Sequence, residues 1–151
     1  MSQPWKTIFN DTFNTQGLIN AIQLAGMRVQ PAGLKAVEKF FVPSGVVHDE
    51  LVRNNLGRWG CSKISGDKVC EVAANFGLRC CSIECILKLR LEYNDQPTGG
   101  YIRVPTIDSE GNLWMFVLYN HEREGMCLSA YDVRPRDREQ PYYEFVFAKV
   151  E

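Results

Sequence analysis

The sequence predicts an α+β fold: an N-terminal cluster of three to four short helices packed on a five-stranded, mainly antiparallel meander sheet. Three observations predict it. The first half carries apolar residues at helical spacing, each run closed by a glycine or a proline. From Cys81 to Tyr93 the period changes to two. Beyond Tyr93, apolar runs alternate with turns too short for parallel crossovers. The chain reads as one domain, 1–151, with a helical part over about 1–77 and a sheet part over about 78–151.

The elements follow in order. Trp5, Ile8, Phe9 and Phe13 precede the first helix and seal one end of the core. Asn14 is the N-cap of a helix that carries Leu18, Ile19, Ile22 and Ala25 on one side and stops at Gly26. Pro31 suits the first turn of a second helix, bearing Leu34, Val37, Phe40 and Phe41 and ended by Pro43. Ser44 opens a third, carrying Val47, Leu51 and Val52 to Gly57. Val69, Val72, Ala73 and Phe76 lie at i, i+3, i+4 and i+7 on a further helix, with Ser65 as N-cap and Gly77 as its stop.

Cys81, Ile83, Cys85, Leu87, Leu89, Leu91 and Tyr93 then alternate with Ser82, Glu84, Lys88, Arg90 and Glu92, only Ile86 breaking the pattern, which predicts a long strand with one dry and one wet face. Its charged residues would form an ion-pair surface. Gln96 to Gly100 reads as a turn, Tyr101 to Ile107 as a strand, and Asp108 to Gly111 as a tight turn. Leu113 to Tyr119 is an uninterrupted apolar run, expected of a central strand covered on both faces. A loop at His121 to Gly125 leads to strands Met126–Asp132 and Tyr142–Val150, and Pro105 should occupy an edge or a bulge.

Composition narrows the class. A chain of 151 residues buries roughly 68–70% of its unfolded surface without needing metals or disulfides. Apolar residues make up 45% and charged residues 23%, and the net charge is −1, so nothing global favours nucleic acid or an anionic membrane as partner. The start, MSQPWKTIFNDTF, has no secretory pattern, and no apolar run approaches the ~20 residues of a membrane span. A cytoplasmic or otherwise intracellular setting is expected, with the six cysteines as reduced thiols.

Three constellations bear on chemistry. Cys61 precedes the helix that begins near Gly66, where a helix dipole favours a thiolate. Gly60-Cys61, the helix through Ala73 to Gly77, the strand from Leu78 to Tyr93, Asn112 to Val117 and Tyr131 to Pro135 follow in an order that resembles the transglutaminase-like branch of the papain-type fold. That resemblance implies a Cys61 nucleophile and Asp132 as the orienting acid of a hydrolase or acyl-transferase. Asn112 occupies the family's histidine position, and an amide cannot accept and return a proton, so an enzyme of that type would be inactive or would need His121 from the next loop as base.

Separately, Ala73, Gly77, Ile83 and Ile86 sit at the spacings of a helix-turn-helix, a DNA-binding alternative that conflicts with a strand at 81–93. Cys61, Cys70, Cys80, Cys81 and Cys85 invite a zinc reading. On a strand, however, Cys81 and Cys85 would stand about 13 Å apart at ~3.3 Å per residue, so no metal is expected and no other cofactor is implied.

For binding, Arg58 beside Trp59 forms one candidate, and the loop carrying Arg134, Arg136 and Arg138 another, with Asp137 and Glu139 offsetting its charge. The reading that follows is a non-catalytic protein-binding or assembly module inside a cell or virion, its partner another protein or a second copy of itself.

Overall fold

The computed structural model describes residues 4–11, 14–40, 46–134 and 138–150, with Arg138 described in its backbone alone. In chain order the elements are β1 (Lys6–Asn10), α1 (Thr15–Leu24), β2 (Arg28–Val29), α2 (Pro31–Val37), β3 (Val47–Asn55), β4 (Ile64–Ser65), α3 (Val69–Asn75), β5 (Leu78–Arg79), α4 (Ile83–Glu92), β6 (Tyr101–Ile107), β7 (Leu113–His121), β8 (Gly125–Asp132), β9 (Arg138–Glu139) and β10 (Glu144–Lys149). Short 3-10 turns at Leu56–Trp59 and Gly66–Lys68 follow β3 and precede α3.

The fold is α+β, but the five-stranded meander is replaced by an eight-stranded mixed sheet, curled into a half-barrel, in the order β1-β3-β10-β6-β7-β8-β2 with β5 added against β10. β6, β7 and β8 do form an antiparallel meander. Around it, β10 runs parallel to β6 and antiparallel to β3, and β2 runs parallel to β8. Strands and helices therefore interleave along the whole chain, and the expected division into a helical part and a sheet part does not hold. β4 and β9 form a separate two-stranded ribbon.

Several expected elements stand. Asn14 caps α1 by accepting the Gly17 N–H at 2.8 Å, and Pro31 opens α2. α3 ends before Gly77, whose φ of +74° is the left-handed conformation that suits glycine at a helix stop. Ser65 precedes the 3-10 turn before α3, without a side-chain cap. Gly33 lets α2 press on β8, since a Cβ there would come within 3.0 Å of the Leu128 carbonyl oxygen.

Two segments differ in kind. The expected third helix is β3. Val47, Asp49 and Leu51 are buried while His48 and Glu50 are exposed, a strand alternation hidden in the sequence because its middle inward residue is an aspartate. Asp49 is inward because Arg79 Nη2 pairs with its Oδ1 at 2.6 Å. The expected helix-opening Ser44 and the stop at Pro43 lie outside the described residues.

The expected strand at 81–93 is α4. Ser82 caps it, accepting the Cys85 N–H at 3.2 Å. Apolar residues at every second position are distributed all round a helix, about 200° apart at 3.6 residues per turn, so the same pattern describes a helix buried on nearly all sides. That is what α4 is: Ile83, Glu84, Cys85, Ile86, Leu87, Leu89 and Arg90 are all buried. Lys88 and Glu92 pair across one helical turn at 3.5 Å, so the expected charged sheet face does not exist.

Two apolar clusters sandwich the sheet. One joins α1, α2 and α4 to Ile102, Val104, Phe116, Leu118, Leu128 and Val146. The other packs Val69 and Ala73 of α3 and Leu56 against Met115, Phe145 and Phe147. β10 feeds both, with Phe145 and Phe147 on one side and Val146 and Ala148 on the other, as expected of a strand covered twice. β7 is interior to the sheet, as its sequence predicts. Pro105 is not on an edge strand: it sits in β6 opposite Met115, beyond the single paired position that β6 shares with β10 at Arg103. No helix among the described residues is long and apolar enough to cross a membrane.

Candidate functional site

Where the meander runs past the second apolar cluster, one face of the sheet is left partly open. β6 and β7 pair so that Tyr101 stands opposite Tyr119, and their rings stack with centroids 5.3 Å apart and planes 10° from parallel. Two residues along, Arg103 points the same way, because strand side chains alternate. Its guanidinium carbon lies 3.6 Å from the centroid of the Tyr143 ring. Tyr142 packs edge-on against Tyr143 at 5.1 Å. Gly99, Tyr101, Arg103, Tyr142, Tyr143 and Glu144 line an open concavity of about 350 Å³. Tyr101 is 47% exposed and Tyr142 71%, so two large aromatic side chains lining one hollow are left open to solvent.

The floor of this concavity is fixed by buried polar groups. Glu139 is 2% exposed, and its Oε1 accepts the Tyr131 hydroxyl at 2.8 Å while Arg103 Nε stands 3.8 Å from its Oε2. Burial, and then the hydrogen bond to Glu139, push the Tyr131 hydroxyl well above the usual phenol range, so it remains a donor. On the rim, Arg53 donates to Glu144 Oε2 through both Nε and Nη2, at 3.2 and 2.7 Å, and through Nη1 to the Tyr93 hydroxyl at 3.0 Å. Burial opposes the charge on Arg53, but these bonds outweigh it and hold its pKa above the ordinary value.

The turn that carries Gly99 is anchored from α4. Arg90, fully buried, donates to Gln96 Oε1 at 2.8 Å, to the Tyr93 carbonyl at 2.6 Å and to the Cys127 carbonyl at 3.1 Å. Gln96 passes the restraint on, donating to the Leu118 and Gly100 carbonyls at 2.9 and 3.1 Å. Desolvation lowers the Arg90 pKa to about 10, which leaves it charged at neutral pH. Gly100 permits the tight turn, since a Cβ would meet the Pro97 oxygen at 2.9 Å.

A second cleft, of about 430 Å³, opens between the N-terminus of α4 and the β6–β7 turn and is lined by residues that include Arg79, Cys80, Glu84 and Asp108. Desolvation raises the Glu84 pKa. Burial acts in the same direction on Asp108, but the N–H donors of Trp114, Asn112 and Glu110 outweigh it and hold its carboxylate below the usual range.

The residues that the sequence singles out fall elsewhere. Cys61 lies beside the second apolar cluster, its thiol 3.9 Å from the Trp59 carbonyl. His121 closes the β7–β8 hairpin, its Nδ1 accepting the N–H groups of Arg123 and Glu124 at 3.1 Å. Asp132 stands at the other end of that hairpin, opposite Trp114, and pairs with Arg134 at 3.6 Å. Seven residues separate Asp132 from Gly125, the partner of His121, which is about 23 Å at ~3.3 Å per residue. Asp132 therefore cannot orient His121, and the structure does not assemble Cys61, His121 and Asp132 into a triad. Asn112 belongs to the β6–β7 turn, its N–H donated to Asp108 Oδ1.

Ile83 and Ile86 are core residues, and β5 intervenes between α3 and α4, so α4 offers no open face to a nucleic-acid groove. Cys81 and Cys85 are drawn together by the first turn of α4 rather than held 13 Å apart, with a thiol hydrogen bond between them that pushes Cys85 up. Among the described residues no three metal-ligating side chains converge.

Trp59 stacks on Phe76 at 5.3 Å and tilts against Phe147 at 5.8 Å, so it seals the core. Arg58 is exposed, and the neighbouring Gly57 N–H donates to the Pro141 carbonyl at 2.9 Å, which clasps its turn to the one bearing Tyr142. Arg136 and the side chain of Arg138 lie outside the described residues.

Sequence reading missed the tyrosine concavity although one signal was available. A hairpin whose strands end at Ile107 and Leu113, with Asp108–Asn112 as its loop, pairs Tyr101 with Tyr119 by simple counting, and Arg103 follows on the same face. The chain matches no protein-family model, no curated protein and no solved structure.

Proposed function

We propose that the chain is a protein-binding module whose recognition surface is the concavity between Tyr101 and Tyr142, and that its occupant is an extended segment of a partner protein. The observation that carries this reading is that Tyr101 and Tyr142, both exposed, line one hollow. Tyrosine and arginine are the side chains enriched at interface hot spots, because a ring supplies rigid apolar area and its hydroxyl supplies hydrogen bonding. Charge complementarity argues for a protein segment rather than a polyanion. Arg53 is occupied by Glu144 and Arg103 by Glu139, so the hollow offers ring faces and hydroxyls with little net charge. Six cysteines, all free thiols in the structure, fit the reducing interior of a cell as the place of action.

The test is selection of binders from a random-peptide library on the immobilised chain, followed by titration of a selected peptide in amide NMR spectra. Shifts confined to residues 99–103, 119 and 142–144 are expected. Shifts centred elsewhere, or a response of concentration-dependent dimerisation in place of peptide binding, would overturn the assignment.

A further inference from the structure

Four of the six cysteines gather where α3, β5 and α4 meet, outside the tyrosine concavity. Cys70 sits in the first turn of α3, and Cys80 directly follows β5. The turn at Gly77 folds the chain back between them, so the two sulfurs lie 2.8 Å apart although ten residues separate them in sequence. Both side chains are only partly buried. Cys80 also lines the cleft of about 430 Å³, and its neighbour Arg79 donates Nη1 to the Cys80 carbonyl at 3.3 Å. Cys81 also borders the cleft but is only 2% exposed, and Cys85 is fully buried.

Cys80 is among the residues that line the cleft and Cys70 is not, while the two sulfurs stand within bonding range of each other. We infer that Cys80 and Cys70 form a thiol–disulfide exchange site, with Cys80 attacking a low-molecular-weight disulfide that enters the cleft and Cys70 resolving the product.

The chemistry balances without a further reagent. The Cys80 thiolate attacks one sulfur of the small disulfide, forming a mixed disulfide and expelling one equivalent of small thiolate, which takes up the proton that Cys80 lost. Cys70 then gives up its proton and attacks Cys80 Sγ, releasing the second small thiol and leaving a Cys70–Cys80 disulfide. Two protein thiols are oxidised and one small disulfide is reduced to two thiols. Electrostatics at the pair support the order of attack. The hydrogen bond from Cys70 and the positive charge of Arg79 favour the thiolate at Cys80 against its partial burial, and Cys70 is held as the thiol. The product disulfide ties α3 to the strand β5, and so to the edge of the cleft.

The sequence makes the test direct. Trypsin cleaves after Lys68, Arg79 and Lys88, which places Cys70 in the peptide 69–79 and Cys80 in the peptide 80–88. The reduced full chain is exposed to glutathione disulfide at neutral pH, quenched with an alkylating agent, digested and fragmented. The expected species is a crosslink between the two peptides assigned to Cys70 and Cys80, formed while Cys81 and Cys85 remain alkylatable only after unfolding. Cys70→Ser should instead accumulate glutathione on Cys80, and Cys80→Ser should lose both products. A crosslink through Cys81 or Cys85, or a folded wild-type chain whose Cys80 stays unmodified, would overturn the inference. The wild-type map alone decides this if either variant fails to fold.

Discussion

Arg103 stands over Tyr143, its guanidinium carbon 3.6 Å from the ring centroid, while the same side chain faces the buried carboxylate of Glu139. One arginine therefore holds the wall of the tyrosine concavity and balances the only acid beneath it among the described contacts. Replacing it with methionine keeps much of the packing but leaves the buried Glu139 with the Tyr131 hydroxyl as its one side-chain partner among the described residues. Arg103→Met should cost about 3 kcal/mol in denaturant unfolding, the scale for breaking a buried ion pair. Adding Glu139→Gln should recover much of that loss, because the orphaned charge is then gone. Equal loss in the single and double variants would show that stacking on Tyr143, not charge, is what Arg103 supplies.

Arg90 anchors the Gly99 turn from the far side of the sheet. Arg90→Met removes the donors to Gln96 and to the Tyr93 and Cys127 carbonyls, and unsatisfied buried acceptors cost roughly 1–3 kcal/mol each. A loss of about 3 kcal/mol is expected. Amide exchange should quicken at residues 94–100 well before it does in α1, and uniform quickening would argue against this anchoring role.

Asp108 gathers the β6–β7 turn. Asp108→Ala should destabilise the fold by about 2 kcal/mol at neutral pH and shift Trp114 emission to the red, since Trp114 Nε1 loses its acceptor. The folded-state pKa of Asp108 is depressed, so its contribution is present above the ordinary carboxylate value of 3.8 and is lost as pH falls through the folded value. The difference between wild type and variant should therefore shrink in acid. A gap independent of pH would mean that packing, not the carboxylate, is responsible.

Glu84 has the opposite sign. Desolvation raises its pKa above the ordinary 4.5, so the stability of the folded chain is highest, as far as this group is concerned, below 4.5 and declines as pH rises through the folded value. Glu84→Gln should be more stable than wild type at neutral pH, and the two unfolding curves should converge in acid. Wild type exceeding the variant at neutral pH would show that the carboxylate is favoured at the helix N-terminus after all.

These contrasts explain how much of the molecule its sequence discloses. Elements held by local rules were legible: the Asn14 cap, Pro31 opening a helix, the glycine stop at Gly77, and the turn at Asp108–Gly111 between Tyr101–Ile107 and Leu113–Tyr119. Elements whose periodicity is disturbed by buried polar groups were not. Asp49 breaks the alternation of β3, and its partner Arg79 is remote in sequence. Arg90 and Glu84 supply the polar positions that make α4 mimic a strand, yet both are buried by tertiary context. Against that, leucine, lysine, arginine and glutamate in ILKLRLE are helix formers, and Ser82 is a cap, a local signal that the alternation masked. The concavity itself joins β6 to the turn before β10, some forty residues apart, and that pairing is set by the curl of the sheet.

The most direct test of the central reading is the affinity of a selected peptide for the wild-type chain and for Tyr101→Ala/Tyr142→Ala, measured by titration calorimetry at two salt concentrations. The reading predicts that the double variant melts within about 1 kcal/mol of wild type, as exposed positions should, and that it binds at least about tenfold more weakly. It also predicts that wild-type affinity changes little with salt. Unchanged affinity in a folded double variant would contradict it.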